Sequence, residues 1–257
     1  AAALGTIVFG TFGINLGYHR LLSHRSLSVP SWFERILATL AVCSLEDTPS
    51  RWVANHRLHH CHSDDDPDPH SPRDGVAWSH MGWLFRRAPQ RRSLDFLDRY
   101  ARDVLVDPYY RALEQYPTAV LWIYISHAIG FGVFGLLLGR WMSGDWTSGI
   151  QLAVSLMVWG VFVRTVLVWH ITWSVNSLTH LFGYRTYSTG EDSRNNWLVA
   201  LLAMGEGWHN NHHHDPASAS TQHKWWEFDV TYYAILLLKS LGIASDVIQP
   251  RHMRQKR

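Results

Sequence analysis

Cysteine is nearly absent: Cys43 and Cys61 are the only two in 257 residues, and they do not form a CxxC pair. This excludes a disulfide framework and a thiolate zinc site, so any metal chemistry must use other ligands. A strong charge of one sign is also missing. The formal net charge is +2, and the basic residues form no tract with interleaved aromatics, which sets nucleic-acid binding aside. The chain has no repeat at a solenoid period and no low-complexity linker. Its apolar start lacks the basic n-region of a signal peptide. The length suits one sizeable domain, so residues 1–257 are expected to form a single unit.

Histidine and tryptophan are abundant instead, with 17 and 14 copies. Trp favours membrane interfaces and neutral imidazole favours transition metals, a pairing that suggests a metal site beside a membrane. Residues 118–138 form an uncharged run long enough to cross a bilayer as a helix, and residues 150–172 form another, interrupted only by Arg164. Arg164 is expected to be buried or to snorkel. Residues 1–16 read as most of a third spanning helix whose start, with a preceding helix, is expected to lie upstream. The apolar segments 36–45, 197–204 and 230–238 are too short to span and are expected on the membrane surface or in the core. Of 23 Lys and Arg, all but Arg140 and Arg164 fall in residues 17–117 or after 172. The positive-inside rule therefore makes 17–117 and 173–257 a cytoplasmic cap on a multi-pass membrane protein.

The same two segments carry the histidine motifs. His19 and His24 stand where the first apolar helix leaves the membrane; five residues of α-helix separate side chains by roughly 140°, so the pair converges best at a helix end. His56, His59 and His60 form one HxxHH motif, and His209, His212 and His213 form a second. The i, i+3, i+4 spacing places each set on one helical face. Asn176 and His180 share a face at i, i+4 near the end of the last span. Nine such imidazoles suit two first-row metals, whose identity spacing does not name. One HxxHH is often a surface accident or a zinc site; several at apolar-to-polar boundaries are harder to explain as core or surface histidines.

The segments HRLLSH, HRLHH, NSLTH and GEGWHNNHH occur in that order, flanked by GINLGYHR, DPDPHSPRDG and SHMGWLF. In this pattern the chain resembles the membrane-bound acyl-CoA and acyl-lipid desaturases of the stearoyl-CoA (delta-9) type, from Gly13 to about Pro216. The resemblance implies an all-α integral-membrane bundle of four spanning helices under a cytosolic helical cap. It implies His19, His24, His56, His59, His60, His180, His209, His212 and His213 as ligands of two iron ions, with Asn176 acting through water. It also implies O2 as co-substrate, an electron donor of cytochrome b5 or ferredoxin type, membrane lipid around the chain, and an acyl-CoA or acyl-lipid substrate that receives a cis double bond. A di-iron hydroxylase is the nearest alternative function. A non-enzymatic zinc-binding membrane protein is a more distant one, disfavoured by spans that carry almost no ionisable residues.

Asp64, Asp66 and Asp68 alternate like a calcium loop, but Pro69 replaces the turn glycine and Gly75 stands at the twelfth position, which excludes calcium. Asp68, His70 and Glu206 are candidates to orient ligand imidazoles. His62, His80, His127, His170, His214, His223 and His252 lack partners at metal spacing and are expected to be non-ligands, and Cys61 a bystander. For substrate, Arg86 and Arg87 match a basic patch that contacts CoA phosphates in animal members. The second box departs from those members: Trp52-Val-Ala-Asn55 stands where they have an Arg and an Asp, which leaves lipid-linked or carrier-linked chains open. Trp52, Trp169, Trp173 and Trp197 are candidate tunnel-lining residues, and Ala3 and Ile7, one helical turn apart, are expected to close the tunnel.

Overall fold

The computed structural model describes residues 1–86 and 88–254. Regular structure among them is helical throughout, and the only extended pairing is isolated bridges such as Ser28 with Ser245. The main helices are residues 2–23 (α1), Ser31–Val42 (α2), Pro49–His62 (α3), Leu94–Leu105 (α4), Pro108–Gln115 (α5), Thr118–Ser143 (α6), Trp146–Leu181 (α7), Trp197–Leu202 (α8), His209–His214 (α9) and Val230–Ser240 (α10). Local chemistry sets the starts. Thr48, Ser93 and Asp229 accept the N–H of Arg51, Phe96 and Tyr232, and Pro49 takes the first position of α3, where its missing N–H costs nothing.

Helices α6 and α7 are long and apolar enough to cross a membrane. They form a hairpin tighter than residues 140–149 suggest, because the helices run on through Arg140 and Trp146 and leave only Gly144 and Asp145 between them. Gly144 adopts φ 77°, and Asp145 caps the N–H of Ser148 at 2.9 Å. Small residues allow the close crossing: a Cβ on Gly139 would lie 2.8 Å from the Cα of Gly149, and one on Gly135 2.7 Å from the Cα of Ala153. At 1.5 Å per residue, the 36-residue α7 is about 54 Å long, well beyond an apolar core of about 30 Å. Its last turns therefore carry Asn176 and His180 out to the cap.

Helix α1 is unusual in its winding. After a short α-type turn, Thr6–Ser23 is bonded in the wider i→i+5 pattern. Gly13 and Gly17 bring it against the backbone of α2, where a Cβ on Gly13 would meet the amide N of Ala41 at 2.6 Å. Two cores flank this contact. One gathers Tyr18, Leu22, Val53, Leu97 and Tyr110; the other gathers Leu16, Leu21, Leu37, Tyr232 and Ile235. The short apolar segments present both buried and exposed apolar side chains. Helix α10 buries Ile235 and exposes Leu237, while α8 exposes Trp197, Leu198, Leu201 and Leu202.

Arg164 is buried in α7 and does not snorkel. Its guanidinium donates to the carbonyls of Cys43 and Gly160 and to Ser44 Oγ, meets His127 Nε2 at 2.9 Å, and lies 3.9 Å over the ring of Phe9. A second buried cation, Arg20, is held between Glu206 and Asp229 at 2.7 and 2.9 Å. Both arginines tie together segments far apart in the chain.

Candidate metal centre

The nine histidines of the motifs meet at the junction of α1, α3, α7 and α9, in two groups. His19, His24, His56, His60 and His212 form the first, and His59, His180, His209 and His213 the second; within each group the ring nitrogens lie within 4.8 Å of one another. Each HxxHH motif is divided between them. From α3, His56 and His60 enter the first group and His59 the second. From α9 the pattern is reversed, with His209 and His213 in the second and His212 in the first. One helical face thus feeds both groups: i and i+4 point together, and i+3 turns toward the neighbouring group. The α1 pair converges through its winding. His24 lies at the helix boundary and its N–H donates to the His19 carbonyl at 3.2 Å, an i→i+5 bond that sets the rings edge to face with centroids 4.8 Å apart.

Neutral imidazole has one N–H and one lone pair, and the outer partners decide which nitrogen carries which. His19 Nδ1 is 2.9 Å from Glu206, His59 Nδ1 2.9 Å from Asp68, and His180 Nδ1 2.8 Å from Asp64. An ionised carboxylate only accepts, so these Nδ1 atoms carry the hydrogen and the Nε2 lone pairs face inward. There Nε2 meets Nε2: His19 with His212 at 3.0 Å, His24 with His56 at 2.8 Å, His180 with His209 at 3.1 Å. Lone pairs converging in this way are the donor set a pair of cations requires, so the residues present fit two imidazole-bound metals.

Electrostatics favour the same form. Burial drives His24, His56, His60, His209, His212 and His213 well below the ordinary imidazole value, and mutual repulsion adds to it, so they remain neutral without metal. Burial alone would raise Glu206, but the adjoining Arg20 and His19 outweigh it and hold the carboxyl at about 2. Asp68 is likewise pushed below the carboxylate range: burial opposes this, and His59 and His70 prevail.

An apolar cavity between α1 and α7 reaches the histidines. Ile14, Val168, Ile171 and Val175 line it, and Trp52, Asn176, His19, His56, His59 and His209 stand at its inner end. Trp52 is thus where a lining residue is expected. Ile7 and Ala3 are not: both side chains are exposed, and besides His19 the lining residues of α1 are Thr6, Gly10, Thr11, Ile14 and Asn15. The wider i→i+5 winding brings Thr6 and Gly10 round to the cavity and leaves Ile7 outside it. Trp173 also lies off the cavity, stacked on Trp169 and edging His80 and His170. Trp169 donates to the Ser44 carbonyl, and Trp197 is exposed on α8. Arg86 is a surface residue over the Trp78 ring, away from the cavity, and Arg87 lies outside the described residues.

His70 is buried 4.4 Å from the His59 ring, with Asp68 between their Nδ1 atoms. Among the expected non-ligands, His127 bonds Arg164, His80 pairs with His170, and Cys61 is exposed. Sequence reasoning misses Asp64 and Glu191 as imidazole partners. Glu191 lies 3.8 Å from His213 Nδ1 and 4.0 Å from that of His180. Asp64 stands in the visible acidic run, but no spacing singles it out, and Glu191 sits in a loop with no motif.

A family model described as fatty acid desaturase matches residues 1–235. The chain is 44% identical over 240 residues to the sn-1 stearoyl-lipid 9-desaturase of Anabaena variabilis, covering 93% of this chain and 80% of that protein. It is 41% identical over 253 residues to the sn-2 palmitoyl-lipid 9-desaturase of Nostoc sp. (strain 36), covering 96% and 82%. It is also 39% identical over 252 residues to an acyl-CoA 5-desaturase of Anemone leveillei, covering 97% and 71%.

Proposed function

The chain belongs to the fatty acid desaturase family and is an oxidoreductase that desaturates acyl chains; on that premise we propose that it places a cis double bond at position 9 of a saturated chain esterified in a membrane lipid. The observation that carries this reading is the apolar cavity ending on both histidine groups, which sets one stretch of an extended chain beside both metal positions. The lipid carrier is supported by the lipid-linked substrates in the names of the Anabaena and Nostoc relatives. The metals are two iron ions, held by the five-histidine and four-histidine groups, with Asn176, one turn before His180, completing the smaller set through water. Electrons come from a carrier of cytochrome b5 or ferredoxin type. The histidine-bearing cap faces the cytoplasm in a multi-pass protein.

A methylene C–H offers no acidic proton, so no side chain here could open it as a base. The bound metal pair supplies the O2 chemistry that the bond requires. The remaining work belongs to the chain. Ile14, Val168, Ile171 and Val175 bind the acyl chain and exclude water, and Trp52 limits where it lies beside His56. Glu206, Asp68 and Asp64 hold their imidazoles with Nε2 inward.

Expression in a host of defined fatty-acid content, beside a His59→Ala, His212→Ala double variant, tests the function. That variant removes one imidazole from each group. New Δ9-monounsaturated acyl chains made only by the parent are expected in lipid mass spectra. Hydroxylated chains would replace desaturation with oxygen insertion, and a bond elsewhere would correct the position.

A further inference from the structure

Three further imidazoles gather around Tyr187, and none of them belongs to either histidine group. His214, the last residue of α9, stacks on the Tyr187 ring at 3.7 Å, and the Tyr187 hydroxyl lies 2.9 Å from His223 Nδ1. His252, on the C-terminal turn Arg251–Arg254, lies beside His223 with ring centroids 5.0 Å apart. His223 and His252 come from separate segments, so no sequence spacing pairs them.

Both are held by their surroundings. The buried Glu227 accepts the backbone N–H of His223 and of Lys224, each at 2.8 Å. Asp215, which follows α9, accepts the backbone N–H of Arg251 and pairs with the Arg254 guanidinium, both at 2.7 Å. The turn is thereby fixed on either side of His252, and one of its two positive charges is taken up. Each ring nonetheless has one nitrogen without a partner. Among the described residues, His223 Nε2 and His252 Nδ1 are buried and make no hydrogen bond, and a buried polar atom left bare is costly. Burial, then the neighbouring His252, push His223 down to about 4, with Asp215 opposing, so the ring is neutral at physiological pH. In the tautomer that donates Nδ1–H to Tyr187, the lone pair stands on Nε2, the bare atom. A hydrogen on Nε2 instead would be a buried donor with no acceptor.

Distance separates the two ligands that could join such rings. A water bonded to both nitrogens would stand about 2.8–2.9 Å from each and, at a tetrahedral angle, would hold the ring centres about 6.5 Å apart. A zinc-like ion at about 2.0–2.1 Å would hold them about 5 Å apart. The observed 5.0 Å matches the ion, and it equals the separation of His180 and His209 within the four-histidine group. We propose that His223 and His252 bind a divalent transition-metal ion of the zinc class, which clips the C-terminal turn to the segment carrying His223. His214, 6.5 Å from His223, is too far to share that ion. Imidazole binds Zn2+ more tightly than Fe2+, and Zn2+ has no redox chemistry, so the clip is structural and takes no part in the acyl reaction.

The test uses the full, iron-loaded chain in nanodiscs. After equilibrium dialysis against Zn2+, metal analysis should find one zinc in addition to the iron in the parent and none in a His223→Asn, His252→Asn double variant, with iron content equal in the two. A second readout needs no variant to fold. At zinc ten times the measured dissociation constant, the open turn is about tenfold rarer, so trypsin cleavage of the parent after Arg251 should slow by that factor while an added peptide substrate is cut at an unchanged rate. Zinc that only replaces iron, or an additional equivalent that the double variant keeps, overturns the site. Unchanged cleavage after Arg251 at full zinc occupancy overturns the clip.

Discussion

At the scale of single residues, the centre depends on carboxylates that touch no metal position. Asp64 and Asp68 orient imidazoles of the four-histidine group and Glu206 orients His19 of the other, so their removal should be selective. Asp64→Asn or Asp68→Asn is expected to weaken one of the two metal positions by roughly 10–100-fold, and Glu206→Gln the other. Metal analysis against free-iron concentration would show one equivalent lost at a time; loss of both together would mean that the groups fill as a unit. Metal removal exposes a pH effect. Six histidines have folded values below their ordinary 6.5, so the unfolded chain binds more protons below that pH. Their neutral form is compatible with folding above about 6.5 and becomes a growing penalty as pH falls below it. The chelated protein should therefore melt at a lower temperature at pH 5.5 than at pH 8, with a smaller difference when iron is bound.

At the scale of elements, much of the design is legible in the sequence. Long uncharged runs reveal α6 and α7, since a bilayer core demands them, and the HxxHH spacing reveals the metal-bearing faces of α3 and α9. What spacing does not reveal is the winding of α1. Ile7 is exposed, while the i→i+5 pattern turns Gly10 toward the cavity, where an added Cβ would find its nearest neighbour, Val168 Cγ2, at 3.8 Å. Gly10→Leu should accordingly shorten the preferred acyl chain by filling the cavity, and Ile7→Ala should leave the product profile unchanged; product chain-length analysis distinguishes them. Glu191 is illegible for a different reason, since its role depends on a loop brought to His213 only by tertiary packing. The α1–α2 contact has little tolerance. Gly13→Val places its Cβ 2.6 Å from a backbone nitrogen and should cost about 1–3 kcal/mol or more. A lowered melting temperature with reduced iron content would register both the strain and the displacement of His19.

At the scale of the whole molecule, the two histidine groups meet at the inner end of an apolar cavity between α1 and α7. If the cap faces the cytoplasm, a membrane-impermeant maleimide should label Cys61 only after cells expressing the chain are permeabilised; labelling of intact cells would reverse the orientation. The buried Arg164 carries the architecture into biogenesis. A guanidinium at the centre of a helix costs about 2.5–3.5 kcal/mol to insert into the bilayer by itself. Its partners, Phe9, Cys43, Ser44 and His127, all precede it in the chain and leave the ribosome first. The helix that carries Arg164 is therefore made only after every residue that receives its guanidinium, so the charge need never wait in the bilayer for a partner still to be synthesised.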